Sequence, residues 1–360
     1  MSIKRNDTDD FILQIALIRA KLDENPRFRY DKDWQHNNTL ECLNNTVDAQ
    51  GNTIWNYIIN HEEIKVLKFL LRETILDPNQ NNTSNNDGTF TTPLNAAARG
   101  GHYNIALVLS DYAKLNKKDS HGMTPLICAI QCEHNDLFAR YLFNGGEVNV
   151  NKKDSRGMTP LHHAVKYSRI DIVNLLIQNR NIQVDEKNNR GDSPLHIAAE
   201  TKPSVSPQVV EMLLAAGAHI DQRGNCDKTP LHSAIIEGNA EIVKLLIANK
   251  ANVNTKMDNT YTDEYTPLHS AVLSYHVETV NLLLRNFADP NAKSDIGGID
   301  RTPLDALLHF HVNDMKFNDR LCIAKLLLHF NCDLRFLTVD RLMHMGPEFQ
   351  KLFVNHYDQL

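Results

Sequence analysis

Residues 154–187 read DSRGMTPLHHAVKYSRIDIVNLLIQNRNIQVDEK, and the fold turns on this stretch. Thr159 can cap a helix with its side-chain oxygen, and Pro160 falls at the first helical position, where a missing N–H costs nothing. Leu161, Ala164 and Val165 then share one face of a short helix, and small Ala164 lets a second helix approach closely. Ile170, Ile172, Val173, Leu175, Leu176 and Ile177 make that second helix apolar around most of its circumference, so it must be nearly buried. A polar stretch with Asn and Asp turns the chain back. One such hairpin cannot cover its own apolar surface, so others of the same kind have to stack on it.

Those others are present. Thr92-Pro93-Leu94-Asn95, Thr124-Pro125-Leu126-Ile127, Thr159-Pro160-Leu161-His162, Ser193-Pro194-Leu195-His196, Thr229-Pro230-Leu231-His232, Thr266-Pro267-Leu268-His269 and Thr302-Pro303-Leu304-Asp305 follow at spacings of 32, 35, 34, 36, 37 and 36 residues. A degenerate copy stands upstream at Thr53-Ile54-Trp55-Asn56. A fixed period of this length marks a repeat architecture, so the chain is read as one elongated array in place of the two or three globular domains its length suggests.

The units closely resemble the ankyrin repeat, a turn followed by two antiparallel helices with a T-P-L-H-x-A signature. Asp119-x-x-Gly122, Asp154-x-x-Gly157, Gly101-His102, and the unit ends Gly217-Ala218-His219-Ile220, Ala251-Asn252-Val253-Asn254 and Ala288-Asp289-Pro290-Asn291 agree with it. The resemblance covers residues 48–334 and implies an all-α solenoid of about eight helix-turn-helix repeats. Residues 1–47 and 335–360 fall outside it and are expected to be helical caps. In the first, Phe11, Ile15, Ile18 and Leu22 form an apolar stripe, which would cover the first repeat or dock a partner. In the second, Thr338 is expected to cap a helix that Gly346-Pro347 breaks before a last amphipathic turn. The polar stretch 77–90 and the insertions 201–208, 255–265 and 309–320 are expected as loops. Arg140, where the second helix usually has Leu, is expected to shift locally or to reach out to solvent.

Composition narrows the function. The chain is 42% apolar by the AVILMFWYC count and 23% charged, with a net charge of −6 and no block of basic residues. That disfavours nucleic acid and general polyanions as partners. The longest apolar runs are too short to span a bilayer, and residues 1–30 lack the order of a signal peptide. Six irregularly spaced cysteines fit reduced thiols in a cytosol. Asn is the anomaly: 39 residues, about 11% of the chain, largely at the turns. With abundant Ile and Lys, this composition resembles the effectors that intracellular bacteria send into host cytoplasm.

Candidate chemistry is sparse. His162, His196, His232 and His269 occupy one point of the signature and are expected to hydrogen-bond the backbone of the turns. Cys128-x3-Cys132-x-His134 imitates a metal cluster, but Cys128 belongs to a core position. His309-Phe310-His311 with Cys322 lacks a carboxylate, and nothing near Cys42 favours a thiolate. No catalytic, cofactor or metal residue is assigned, and no cofactor is expected. The alternative class is an enzyme or metal-dependent protein using residues of the N-terminal segment.

The resemblance implies a monomeric module that takes a protein partner on turn tips and the exposed side of each first helix. On this sequence, the positions assigned to binding are Met123, Arg156, Met158, Tyr167, Arg190, Ile236, Tyr265, Leu273, Tyr275 and Phe310. The row is polar in its N-terminal half. It turns apolar at Ile236, Leu273, Tyr275 and Phe310, where exposed apolar and aromatic side chains favour an interface.

Overall fold

The computed structural model describes residues 15–21, 24, 53–83, 90–132, 136–144, 147–200, 207–259, 263–295, 299–309, 316–335 and 346–357. They fall into two compact units, residues 1–182 and 183–360.

In the first unit, helix pairs follow one another: α1 (Ile54–Asn60) with α2 (Ile64–Arg72), α3 (Pro93–Gly100) with α4 (Tyr103–Ser110), α5 (Pro125–Gln131) with α6 (Asp136–Asn144), and α7 (Pro160–Lys166) with α8 (Ile170–Ile177). In the second they are α9 (Pro194–Glu200) with α10 (Pro207–Ala215), α11 (Pro230–Ile236) with α12 (Ala240–Ala248), α13 (Pro267–Leu273) with α14 (Val277–Arg285), and α15 (Pro303–His309) with α16 (Phe317–His329), followed by α17 (Pro347–Tyr357). Within each unit first helices pack on first helices and second on second.

The Thr-Pro-Leu signature explains each start. Thr92, Thr124, Thr159, Thr229 and Thr266 accept the N–H three residues on through their hydroxyls, and Pro takes the first helical position. Leu94, Leu126, Leu161, Leu195, Leu231, Leu268 and Leu304 are all buried, each burial contributing on the order of 1.5–3 kcal/mol. The degenerate first copy caps differently: the Thr53 hydroxyl donates to Asn56 Oδ1 at 2.9 Å. In α8, Ile172, Val173 and Leu176 are buried and Ile170, Leu175 and Ile177 half-buried, as its nearly all-apolar circumference requires.

The tips have their own order. The Asp119 carboxylate accepts the N–H groups of His121 and Met123, and the Asp154 carboxylate those of Arg156 and Met158. Asn188 Oδ1 accepts those of Arg190 and Asp192. Gly122 closes its turn at φ +72, and a Cβ there would lie 2.6 Å from the backbone nitrogen of Ser155 in the next repeat. Position 122 therefore tolerates only glycine.

Behind the second helices, Asn side chains form ladders. Asn116 accepts the Asn149 N–H and donates to the Glu147 carbonyl, both at 2.7 Å. Asn254 accepts the Asp289 N–H at 2.8 Å and donates to the Phe287 carbonyl at 3.0 Å. Asn291 treats Asp333 and Asn331 the same way. Turn chemistry thus accounts for part of the excess Asn, by joining each repeat to the next.

Two expectations about loops need correction. Antiparallel strand pairs stand in two of the stretches expected as loops, β1 (Asn82–Thr83) with β2 (Phe90–Thr91) and β3 (Met257–Asn259) with β4 (Asp263–Tyr265), and a third, β5 (Ser294–Asp295) with β6 (Asp300–Arg301), precedes the last signature. The insertion 255–265 extends its tip by pairing Met257 with Tyr265. Gly346-Pro347 begins a helix rather than only breaking one, since Pro347 stands at its first position.

At the N-terminal end Ile15 and Ile18 are buried, and Arg19 reaches Glu63 at 2.9 Å. Phe11, Leu22, Cys42 and Thr338 lie outside the described residues. At the other end α17 packs on α16, with Phe353 buried and the Phe349 ring edge-on to Phe317 at 5.6 Å. Arg140 is exposed and pairs with Asp171 at 3.3 Å, the solvent-reaching outcome.

Candidate partner-binding face

The signature histidines fix how each first helix sits against the next turn. His232 Nδ1 lies 3.3 Å from the Thr229 backbone nitrogen and 2.9 Å from its hydroxyl, while Nε2 lies 3.2 Å from the Tyr265 carbonyl. A carbonyl only accepts, so Nε2 carries the proton and Nδ1 is the acceptor for the Thr229 N–H and O–H. His196 repeats this with Ser193 and the Lys228 carbonyl, and His269 with Thr266 and the Arg301 carbonyl. Each ring caps its own helix and ties it to the residue before the next signature. Burial pushes the imidazoles of His232 and His269 down to about 4, and that of His196 down as well. They are neutral structural ties.

Other side chains fill the same slot. Asn95 donates through Nδ2 to the Met123 carbonyl at 2.7 Å. Asp305, in the last pair, turns instead to Arg301 of its own repeat at 3.2 Å, both side chains buried. Ile127 can make no such bond.

Seven residues after each signature Ser/Thr, the first helix presents the side chain that faces its successor. Arg99 donates to Cys128 Sγ at 3.7 Å, and Gln131 donates to His163 Nδ1 at 3.2 Å. This leaves the His163 Nε2–H for the Asp154 carboxylate at 3.0 Å, a wholly buried pair absent from the sequence reading. Burial pushes the Asp154 carboxyl up, but hydrogen bonds from His163 and the N–H groups of Met158 and Arg156 outweigh it and hold it below its usual range. Further on, the Ser233 hydroxyl donates to Glu200 at 3.4 Å.

The residues expected to bind a partner separate on inspection. In the first unit, Arg156 is exposed, with Nε 3.6 Å from Asp154. Tyr167 is 41% exposed, stacked 6.3 Å from His163 with the Lys166 ammonium 5.8 Å from its ring. Met123 is half-buried. Met158 is only 6% exposed, because its N–H folds back onto Asp154, and it leaves the candidate set. In the second unit, Arg190 is exposed and Ile236 is 41% exposed, while Tyr265, Leu273 and Tyr275 are half-buried. Phe310 lies outside the described residues.

Two features escaped the sequence reading. Tyr275 has φ +58, at the place where Gly238 has φ +72 in the preceding repeat. Phe287 has φ +67 and is 89% exposed, where an earlier repeat has Gly217. Aligning the copies would have shown an aromatic replacing glycine at both.

Cys128 is buried and its thiol pushed up to about 12, and His134 and His311 lie outside the described residues. Among the described residues, no three His, Cys, Asp or Glu side chains gather as a metal site would need. No helix among them is long and apolar enough to cross a membrane.

The family model for ankyrin repeats, in blocks of three copies, matches residues 57–152, 132–224 and 204–294. The chain belongs to the ankyrin-repeat family. Its helix pairs, Thr-Pro caps and carbonyl-tying histidines are the ankyrin signature in atomic detail. Ankyrin repeats are in general protein–protein interaction modules, and the chain carries such a module. The last pair, α15 and α16, lies beyond the matched residues but keeps the Thr302 cap on the Asp305 N–H.

Proposed function

We propose that this ankyrin chain is a non-enzymatic scaffold, adaptor or blocking protein that takes a partner protein on its turn tips and first helices. The supporting observation is the outward position of α11, where Ile236 stands 41% exposed beside half-buried Leu273 of α13. The signature residues are occupied with caps and ties, so the variable positions between them are the ones free to recognise something. Arg156 and Tyr167 in the first unit, and Arg190, the Ile236–Leu273 row, Tyr265 and Tyr275 in the second, are the residues offered to a partner. We read eight repeats over 48–334, capped by 1–47 and 335–360, acting as a monomer in cytoplasm. The Asn-, Ile- and Lys-rich composition supports an effector role in a host cell, which a translocation assay from a bacterial donor tests.

Capture of partners from cell extract by the wild-type chain and by an Ile236→Asp/Tyr167→Ala variant tests the face. The variant should lose the wild-type partners and keep its melting temperature. Leu213→Ala, in the core of α10, should cost about 2–5 kcal/mol of stability and leave capture intact below its melting point. An Ile236/Tyr167 variant that captures the same proteins sinks the assignment.

A further inference from the structure

The side chains that link successive first helices hydrogen-bond at three junctions, and at another they leave a buried hydroxyl over. Arg99 meets Cys128, Gln131 meets His163, and Glu200 meets Ser233. The next pair in that register is Ile236 with Ser270, on the packed helices α11 and α13. Ser270 is 5% exposed, and its hydroxyl has no hydrogen-bonding partner. A buried hydroxyl left unpaired is destabilising, and an exposed isoleucine above it returns nothing in the free protein. One step before, the Glu200 carboxylate has no cation within ion-pair distance among the described residues; its one hydrogen bond is the long one from Ser233. Burial and nearby Asp192 hold that carboxyl above its usual range, and Lys228 and Arg190 offset this only in part. Leu273 comes one step after Ile236. The strip therefore runs acid, apolar, apolar along three successive first helices, with an unused hydroxyl beneath its centre.

We propose that the Glu200–Ile236–Leu273 strip binds an extended peptide segment of a partner protein that presents one basic and two apolar side chains at every third residue. The spacing follows from geometry: packed helices lie about 8–10 Å apart, and a peptide in the polyproline II conformation advances about 3.1 Å per residue with three residues per turn, so every third side chain faces the strip. The basic group pairs with Glu200, the apolar groups cover Ile236 and Leu273, and a displaced Ile236 opens the Ser270 hydroxyl to the peptide backbone. This reading rests on the partner-binding face proposed above and gives its ligand a chemistry.

The test is a random peptide-display selection on the full chain, followed by fluorescence anisotropy with the enriched peptides. Enriched sequences should carry Lys or Arg followed or preceded, at intervals of three, by two apolar residues. Ile236→Asp should weaken them tenfold or more, with Ile236→Ser as the milder variant should the first melt early. Replacing the peptide's basic residue by Gln should weaken binding to the wild type but not to Glu200→Gln. Ser270→Ala should raise the melting temperature of the free protein. Absence of that coupling, a lower melting temperature for Ser270→Ala, or a selection that enriches nothing would overturn the strip. Peptides that ignore Glu200→Gln and Ile236→Asp but lose affinity with Tyr167→Ala or Arg190→Ala would overturn the strip and leave the face standing. Peptides indifferent to all four would remove both.

Discussion

The two units solve one problem with different chemistry. Every repeat needs something to reach from its first helix to the carbonyl before the next signature. In the second unit His196, His232 and His269 do this. In the first, His162 caps Thr159 from the same slot, Asn95 makes the tie with an amide, and Ile127 does not make it at all. At that junction the Gln131–His163–Asp154 group makes the connection on the inner side instead. The backbone register is therefore indifferent to how the tie is made, but its response to protons is not. Asn has nothing to titrate, whereas the histidines of the second unit are held neutral against their solution preference.

The largest expected consequence is acid sensitivity of the second unit. His232 and His269 have folded values of about 4, below the unfolded value of about 6.5. The unfolded chain thus binds more protons between these limits, and stability is complete above pH 6.5 and lost as pH falls towards 4. Each residue contributes a slope of up to about 1.4 kcal/mol per pH unit in that window. Hydrogen exchange followed from pH 7 to pH 4.5, corrected for intrinsic rate, should show α11 and α13 losing protection before α3. Equal loss in both would break the contrast.

His232→Asn sharpens it, since Asn95 shows that an amide can reach the same carbonyl. That variant should remove the slope of one histidine and lose about 1 kcal/mol at pH 8, where the Thr229 N–H gives up its acceptor. Ile127→His is the converse. It should bring about 1 kcal/mol of tie to the first unit at pH 8 and an acid slope that Ile127 itself cannot supply. A variant whose denaturation midpoint has the wild-type pH dependence would show that the ring does not reach the Met158 carbonyl. Smallest is Tyr275→Gly, which frees a left-handed residue and should raise stability by up to about 1 kcal/mol in thermal melts.

Much of this was open to reading because the repeat states each position several times. Four histidines at one point of a signature could be assigned a structural role before any distance was known. Their tautomer could not, since it depends on which atom faces a carbonyl in the next repeat. Met158 misled because a tip residue was equated with an exposed one, whereas the Asp154 turn draws its backbone inward. The hairpin of residues 257–265 broke the period, and a stretch that breaks the period leaves only local pairing to predict from. Ser270 was invisible for a different reason: nothing about Ser270 itself is unusual. Its hydroxyl is orphaned by Ile236, 34 residues earlier in the chain.

The Asn ladders carry a consequence in time. Asn254 and Asn291 are amides that accept an N–H with one atom and donate to a carbonyl with the other. Asparagine amides in water slowly hydrolyse to carboxylates. Such a change at Asn254 would keep the acceptor, destroy the donor and set a negative charge against the Phe287 carbonyl oxygen. Each event would loosen one junction without cutting the chain, so old molecules would differ from new ones in how firmly neighbouring repeats hold together. The residue type that makes the stack easy to build also gives it a chemical age.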